Sequence, residues 1–398
     1  MSSNFKIKPL PYLRIFIAIF LVYNFLGISN FPIYNPKLII KPLIILVFIG
    51  FFGFVFGTLF VRQLHFNIKQ NKGVKKNFRI FIFFLITLSF SFAIIIVTHI
   101  INGGIIIFMG DKRFTNLPLT NLIIYIGIAN TLVYFANGLI ENTINKKFIL
   151  IFIIQSVFIL SIGYRAPMIV LIGGATILFF IISNQHQAKV KKIFTFKNVI
   201  YFIFGLFIIS YIGSYRVSLK YNTRKFFKNI NHNYIDEHPV LSPFVSSISA
   251  FRYDQQVVGR LIKKTENNHL YGKLLASNAI TLLPGSQLGA RNIIGQIIDA
   301  RKIKDGKPWS ITPTLQGALF VDGGRVFVFF GFFFLAGFIE YLKKIVMVKK
   351  DPFNLTVYAL FAMATILLIH TGYYDILIFL FTLVLYIIKF LVYRIKKI

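Results

Sequence analysis

Apolar residues in this chain come in long runs separated by short polar gaps. Crossing a lipid core takes about 20 apolar residues in a helix. Runs of about that length lie at 11–31, 38–61, 79–101, 119–139, 148–165, 167–184, 198–215, 324–342, 353–371 and 373–392. The pattern predicts an all-α polytopic integral membrane protein with about ten transmembrane helices. The first run, from Pro11 to Phe31, is too long for a signal-peptide core and lacks a small-residue cleavage site. It is read as a retained span.

One gap breaks the rhythm. From Arg216 to Gly323 the chain is polar enough to be a soluble loop, and it holds seven of the twelve acidic residues: Asp236, Glu237, Asp254, Glu266, Asp299, Asp305 and Asp322. It also holds most of the turn chemistry, including Pro239, Pro243, Pro284-Gly285 and Asp305-Gly306. The chain thus divides into 1–215 with spans one to seven, a mostly helical loop at 216–323, and 324–398 with spans eight to ten. Within the loop, Ser246 to Lys264 has the spacing of an amphipathic helix, with Ile248, Phe251, Val258, Leu261 and Ile262 on its apolar side.

Composition agrees. The chain is 56% hydrophobic and only 14% charged, more apolar than a soluble domain can hide. Its net charge is +32. In a soluble protein that excess would point to nucleic acid, but here Lys and Arg fill the short gaps, where positive residues set topology. Nucleic acid is therefore not an expected partner.

Every second gap is basic: Lys6 and Lys8; Arg62, Lys69, Lys72, Lys75, Lys76 and Arg79; Lys146 and Lys147; Lys189, Lys191, Lys192 and Lys197; Lys343, Lys344, Lys349 and Lys350; Arg394, Lys396 and Lys397. The rule that cytoplasmic loops carry the positive charge puts both termini in the cytoplasm and the large loop on the far side of a cytoplasmic-type membrane.

Some chemistry is excluded or left without support. Without cysteine there is no disulfide, thiolate catalysis or Cys-ligated metal. No phosphate-binding glycine loop, DxD-type acidic pair or H-x-x-x-H spacing is present. No cofactor and no metal are implied.

What remains is a set of arginines at the ends of spans facing away from the cytoplasm, against the positive-inside bias. Arg165 lies in Ser161-Ile-Gly-Tyr-Arg-Ala-Pro167, a turn with almost no loop, where Pro167 suits the first turn of the next helix. That helix start adds partial positive charge. Arg216 follows span seven, Arg252 lies in Phe251-Arg-Tyr-Asp254, Arg291 follows the Pro284-Gly285 turn, and Arg325 follows Asp322-Gly-Gly324. Guanidinium forks match phosphate oxygens bidentately and stay charged, so Arg165, Arg216, Arg252, Arg291 and Arg325 together suit a lipid diphosphate. His99 and His370, near the same ends of spans, read as packing or interface residues. His232, His238 and His269 read as exposed loop residues.

These features resemble the bacterial oligosaccharide repeat-unit polymerases, the Wzy group that makes O-antigen, capsular and exopolysaccharide chains. The likeness covers the topology and is sharpest in Ser161–Pro167, Ser210–Arg216, Phe251–Asp254 and the run from Tyr271-Gly through Leu282-Leu-Pro-Gly285 and Thr312-Pro to Gly337. An acidic or Tyr position common in that family just before the glycines of the returning span is Ala318 and Phe320 here.

The resemblance implies a glycosyltransferase in the bacterial inner membrane, working on its outward face. It implies substrates that are oligosaccharides on undecaprenyl diphosphate, membrane lipid as surroundings, and a flippase and a chain-length regulator as partners. Transfer would proceed without metal and with inversion, and the carboxylate taking the proton of the acceptor hydroxyl would be Asp254 first and Asp322 second. Two other readings stay open: an O-antigen-ligase-like transferase, for which His232 or His238 would be the loop histidine, and a flippase or transporter of lipid-linked oligosaccharide.

Overall fold

The computed structural model describes residues 12–35, 38, 40–68, 78–108, 120–141, 143–144, 146–162, 165–182, 227–280, 289–299, 311–373 and 376–394. Among them every regular element is helical; one isolated antiparallel bridge pairs Tyr34 with Ile230. The chain gives α1 (Tyr12–Ile28), α2 (Ile40–Gln63), α3 (Phe78–Ile101), α4 (Thr120–Glu141), α5 (Lys146–Ser161) and α6 (Arg165–Ile182). Four loop helices follow: α7 (His232–Glu237), α8 (Val245–Thr265), α9 (Lys273–Ile280) and α10 (Ala290–Ile297). The last three are α11 (Thr314–Lys349), α12 (Pro352–Thr371) and α13 (Ile376–Arg394).

Nine of the ten expected spans coincide with helices. The run expected at 198–215 lies outside the described residues. The amphipathic loop helix expected at Ser246–Lys264 is α8.

Among the described residues, five helices are long and apolar enough to cross a membrane: α2, the Arg79–Ile101 part of α3, α4, α11 and α12. Apolar segments of α1, α5, α6 and α13 are shorter. The protein is a multi-pass membrane protein.

Burial sorts the helices by depth in the bundle. The apolar window of α12 is 89% buried, that of α3 only 28%. α12 is the central post, packed against α1, α4, α6, α11 and α13. The outer helices turn residues such as Phe90, Ile100 and Phe334 outward. Lipid solvates such a surface, so exposure there costs little.

Helices in lipid gain most from close backbone approach. α2 supplies it with Gly50, Gly53 and Gly57, which face α11. A Cβ at Gly53 would sit 2.4 Å from the Phe329 carbonyl oxygen, and one at Gly57 would sit 2.0 Å from that of Phe333. Any side chain there would push the pair apart.

α11 differs from the expected span at 324–342. It begins ten residues earlier, at Thr314, and is broken at Gly323 (φ −170°, ψ 29°) and Gly324 (φ 67°, ψ −156°). A straight helix of its 36 residues would reach about 54 Å, well beyond the hydrocarbon core. The break makes two pieces. Thr314–Asp322 packs with the loop helices through Leu315, Ala318 and Val321, and Arg325–Lys349 forms the long span. The expected start of the span marks the break, not the helix start.

The two ends of the bundle differ in character. At one end Glu340 pairs with Arg62 at 3.1 Å and Lys343 at 2.9 Å, Asp351 meets Lys389 at 3.1 Å, and Arg79 donates to the Val392 carbonyl. Asp351 also caps α12, accepting from the amides of Phe353 and Asn354 ahead of Pro352. At the other end the loop helices pack on α1, α2 and α11, and the candidate site lies there.

Candidate active site

α8 brings three polar side chains inward in succession: Arg252, Asp254 and Gln255 are each at most 1% exposed. Its apolar stripe of Val257, Val258, Leu261 and Ile262 anchors it on α10 and α11. Its basic and polar residues, such as Arg260 and Lys263, face out. The alternation that makes α8 amphipathic thus also drives charged groups into the bundle, and each needs a partner there.

Asp254 finds partners on three other parts of the chain. Its Oδ1 accepts from Thr312 Oγ1 at 3.1 Å. Its Oδ2 accepts from the Tyr23 hydroxyl of α1 and lies 2.5 Å from His370 Nδ1, in the last turn of α12. The Tyr23 oxygen is 2.9 Å from the same His370 nitrogen. One residue on, Asn24 holds α1 in register: its Oδ1 accepts from Gln255 at 3.0 Å and from Gln316 at 2.5 Å. The carboxylate is closed in, but the His370 side chain is 43% exposed.

Arg252, two residues earlier, has a different task. Its Nη1 donates to the carbonyls of Gly27, Ile28 and Ser29 at 3.2–3.4 Å, and its Nη2 donates to Asn30 Oδ1 at 2.9 Å. Those carbonyls are the unsatisfied, partly negative end of α1. The guanidinium also lies 5.0 Å over the Tyr34 ring. Burial lowers its pKa, with Tyr34 opposing; burial likewise pushes the Tyr34 phenol up to about 12, with Arg252 opposing. Sequence reading grouped Arg252 with the diphosphate ligands. The structure commits its fork to closing α1, because a buried helix end needs a donor close at hand.

Asp322, the second carboxylate, sits at the α11 break. Its oxygens accept the amides of Leu274 and Leu275, both at 2.9 Å, and the Tyr373 hydroxyl at 2.6 Å. The two amides are unsatisfied donors of the first turn of α9, so Asp322 caps that helix from a distant part of the chain. Burial, then the carboxylate, pushes the Tyr373 phenol well above its ordinary range. Asp322 has the contacts of an anchor.

The remaining arginines fall as follows. Arg291 is exposed on α10, and its carbonyl accepts from the Ile311 amide at 3.0 Å, beside the Thr312 that bonds Asp254. Arg325 is exposed at the start of the long half of α11, directly after the break. Arg165 opens α6 just after α5, whose Ser161 bonds His99 at the far end of α3 from Arg79. Its backbone is therefore at the Asp254 end, and its side chain lies outside the described part. Arg216 lies outside the described residues. Among the described residues no cluster of three or more His, Asp or Glu side chains suits a metal.

Four residues at this site carry no reactive reading in the sequence alone. Tyr23 and Asn24 are adjacent polar groups inside an apolar span, which in a membrane is itself a signal of function. His370 was read as a packing residue because its partner lies 116 positions away. Thr312 gave no signal beyond standing before Pro313.

This cluster combines a held carboxylate, an imidazole at the surface and exposed cations on neighbouring elements. Such a set can orient a hydroxyl, accept its proton and bind an anion. No curated protein and no solved structure matches the chain. The family described as "Putative O-antigen polymerase" matches residues 12–382 of the 398. A match of that extent runs from the start of α1 into α13, so the chain belongs to the O-antigen polymerase family.

Proposed function

We propose that this protein is a polysaccharide polymerase that joins oligosaccharide repeat units carried on undecaprenyl diphosphate, on the outward face of a bacterial cytoplasmic membrane. The growing glycan is the donor. The terminal sugar of a new lipid-linked unit is the acceptor. The diphosphate linkage is the activated bond, so no nucleotide sugar and no metal is required. Direct displacement inverts the anomeric centre.

The observation that carries the reading is the Asp254 cluster, where α1, α8, α12 and the lead-in to α11 converge on one carboxylate at the end of the bundle that carries the loop helices. A buried, multiply bonded acid beside an exposed imidazole is a poor stability device and a suitable acid–base site. Family membership points the same way. Arg291 and Arg325 are exposed and stand at that end, with Arg165 opening α6 there; Arg216 completes the proposed diphosphate clamp. Cations on the leaving diphosphate stabilise the charge that develops as the sugar departs. The alternation of basic gaps puts this end outside the cytoplasm. A flippase would supply the lipid-linked units and a length regulator would act on the product.

Cells deleted for the gene test this through the length distribution of their surface glycan. The deletion leaves a single repeat unit on its carrier, and wild type restores a ladder. Arg291→Ala, at normal expression, collapses the ladder, because losing one preorganised contact costs about 3 kcal/mol, roughly a hundredfold in rate. An unchanged ladder in the deletion removes the polymerase reading. A full ladder with Arg291→Ala removes this arginine from the clamp.

A further inference from the structure

We infer, resting on the glycosyl-transfer reading above, that His370 is the group that takes the proton from the acceptor hydroxyl, and that Asp254 is its positioning residue. Exposure separates the two roles. The Asp254 side chain is 1% exposed and that of His370 is 43% exposed. A sugar hydroxyl can approach the imidazole without entering the bundle. To approach the carboxylate it would have to displace Tyr23 or Thr312.

The geometry also fixes which ring nitrogen works. An ionised carboxylate only accepts hydrogen bonds, so the nitrogen facing it, Nδ1, carries the hydrogen. The lone pair is then on Nε2, on the opposite side of the ring. Tyr23 secures this arrangement, because its hydroxyl donates to Asp254 Oδ2 and its oxygen lies 2.9 Å from Nδ1. The ring stands in the last turn of α12, where the partly negative helix end favours the imidazolium that forms. Among the described residues, the titratable groups that face it include Asp254 from α8 and Tyr23 from α1, and Thr312 from the lead-in to α11 bonds the far oxygen of Asp254.

The step balances. The acceptor hydroxyl oxygen forms a bond to the anomeric carbon of the donor's reducing-end sugar. The bond from that carbon to the diphosphate oxygen breaks, and its electron pair leaves with undecaprenyl diphosphate. The acceptor proton moves to Nε2 of His370. Arg291, whose carbonyl accepts from the amide of Ile311 beside Thr312, is an exposed cation placed to meet the departing charge.

The test uses purified full-length protein in lipid nanodiscs with the host's own undecaprenyl-diphosphate-linked repeat unit, followed by elongation kinetics and thermal unfolding. His370→Gln and His370→Ala are expected to lower kcat by about 10²–10⁴-fold while KM changes little. Asp254→Asn lowers kcat by a comparable factor. The acid limb of the wild-type kcat profile disappears in His370→Gln. Imidazole in the buffer restores part of the turnover of His370→Ala and none of that of Asp254→Asn, a response that a purely structural histidine would not give. Should His370→Ala fail to fold, His370→Gln decides. Wild-type kcat in a folded His370→Gln protein, or an unchanged acid limb, overturns the assignment and returns the base role to Asp254. Absence of elongation by the wild type instead overturns the polymerase reading itself.

Discussion

Asp254 and Asp322 are equally buried, at 1% exposure each, and both are bound by residues from the last turn of α12 or just beyond it, His370 and Tyr373. Their surroundings differ in kind. Asp322 is held by two backbone amides and a phenol, groups that keep their protons, and it ties the first turn of α9 to the broken part of α11. Asp254 is held by side chains alone, from three other parts of the chain, one of them a half-exposed imidazole that can change its protonation. Burial of a carboxylate therefore says little about its role. The partners decide: fixed backbone donors make an anchor, and an exposed titratable partner makes a place where a proton can move.

The largest expected effects separate the two carboxylates. Asp254→Asn lowers elongation by about 10²–10⁴-fold and changes thermal unfolding little, because its oxygen still accepts from Thr312 while the Tyr23 hydroxyl can turn and His370 can change tautomer to accept from the new amide. Asp322→Asn does the reverse. It loses a charged acceptor for two amides and destabilises the fold by about 2–3 kcal/mol, with near-normal turnover per folded molecule. Unfolding and kinetics on the same nanodisc samples check both. A stability loss in Asp254→Asn that matched that of Asp322→Asn would erase the distinction.

A smaller effect sharpens the contrast within α8. Arg252→Met leaves the end of α1 without its donor and is expected to lower stability by about 1–3 kcal/mol. The salt dependence and KM of elongation stay as in wild type if Arg252 serves α1 and not the substrate. A raised KM without loss of stability would put it back among the diphosphate ligands.

The smallest effect is a pH dependence at Tyr34. Its folded pKa is raised to about 12, so the folded state holds this proton more tightly than the unfolded chain does. The associated stability is fully present below the ordinary phenol pKa near 10 and is lost as pH rises towards 12. Wild type should lose about 1 kcal/mol more than Tyr34→Phe between pH 10 and 11. Equal losses would mean that Tyr34 is not sequestered over Arg252.

The fold was largely legible in the sequence, because lipid imposes one rule on every span: about 20 apolar residues, with polar groups between them. Nine expected runs became helices for that reason. α8 was legible from its period alone. The break in α11 was legible only as Gly323-Gly324, since the apolar residues from Leu315 to Val321 continue the helix on the loop side and hide its true start. The site was half legible. Asp254 stood out as an acid in an amphipathic helix, but its partners lie 231, 116 and 58 positions away, and no local pattern joins such residues. Arg252 shows the converse. A guanidinium beside a candidate acid looks like a phosphate ligand until the end of α1 is seen against it.

The central claim, that this end of the bundle transfers glycan from one lipid diphosphate to another, is tested most directly by counting products. Purified protein in nanodiscs is given labelled undecaprenyl-diphosphate-linked repeat unit, and free undecaprenyl diphosphate is measured against new glycosidic linkages. The account predicts one diphosphate released for each linkage formed, with both abolished together in Asp254→Asn. Linkages without release of the carrier, or passage of the labelled lipid across the bilayer with no linkage at all, would contradict it.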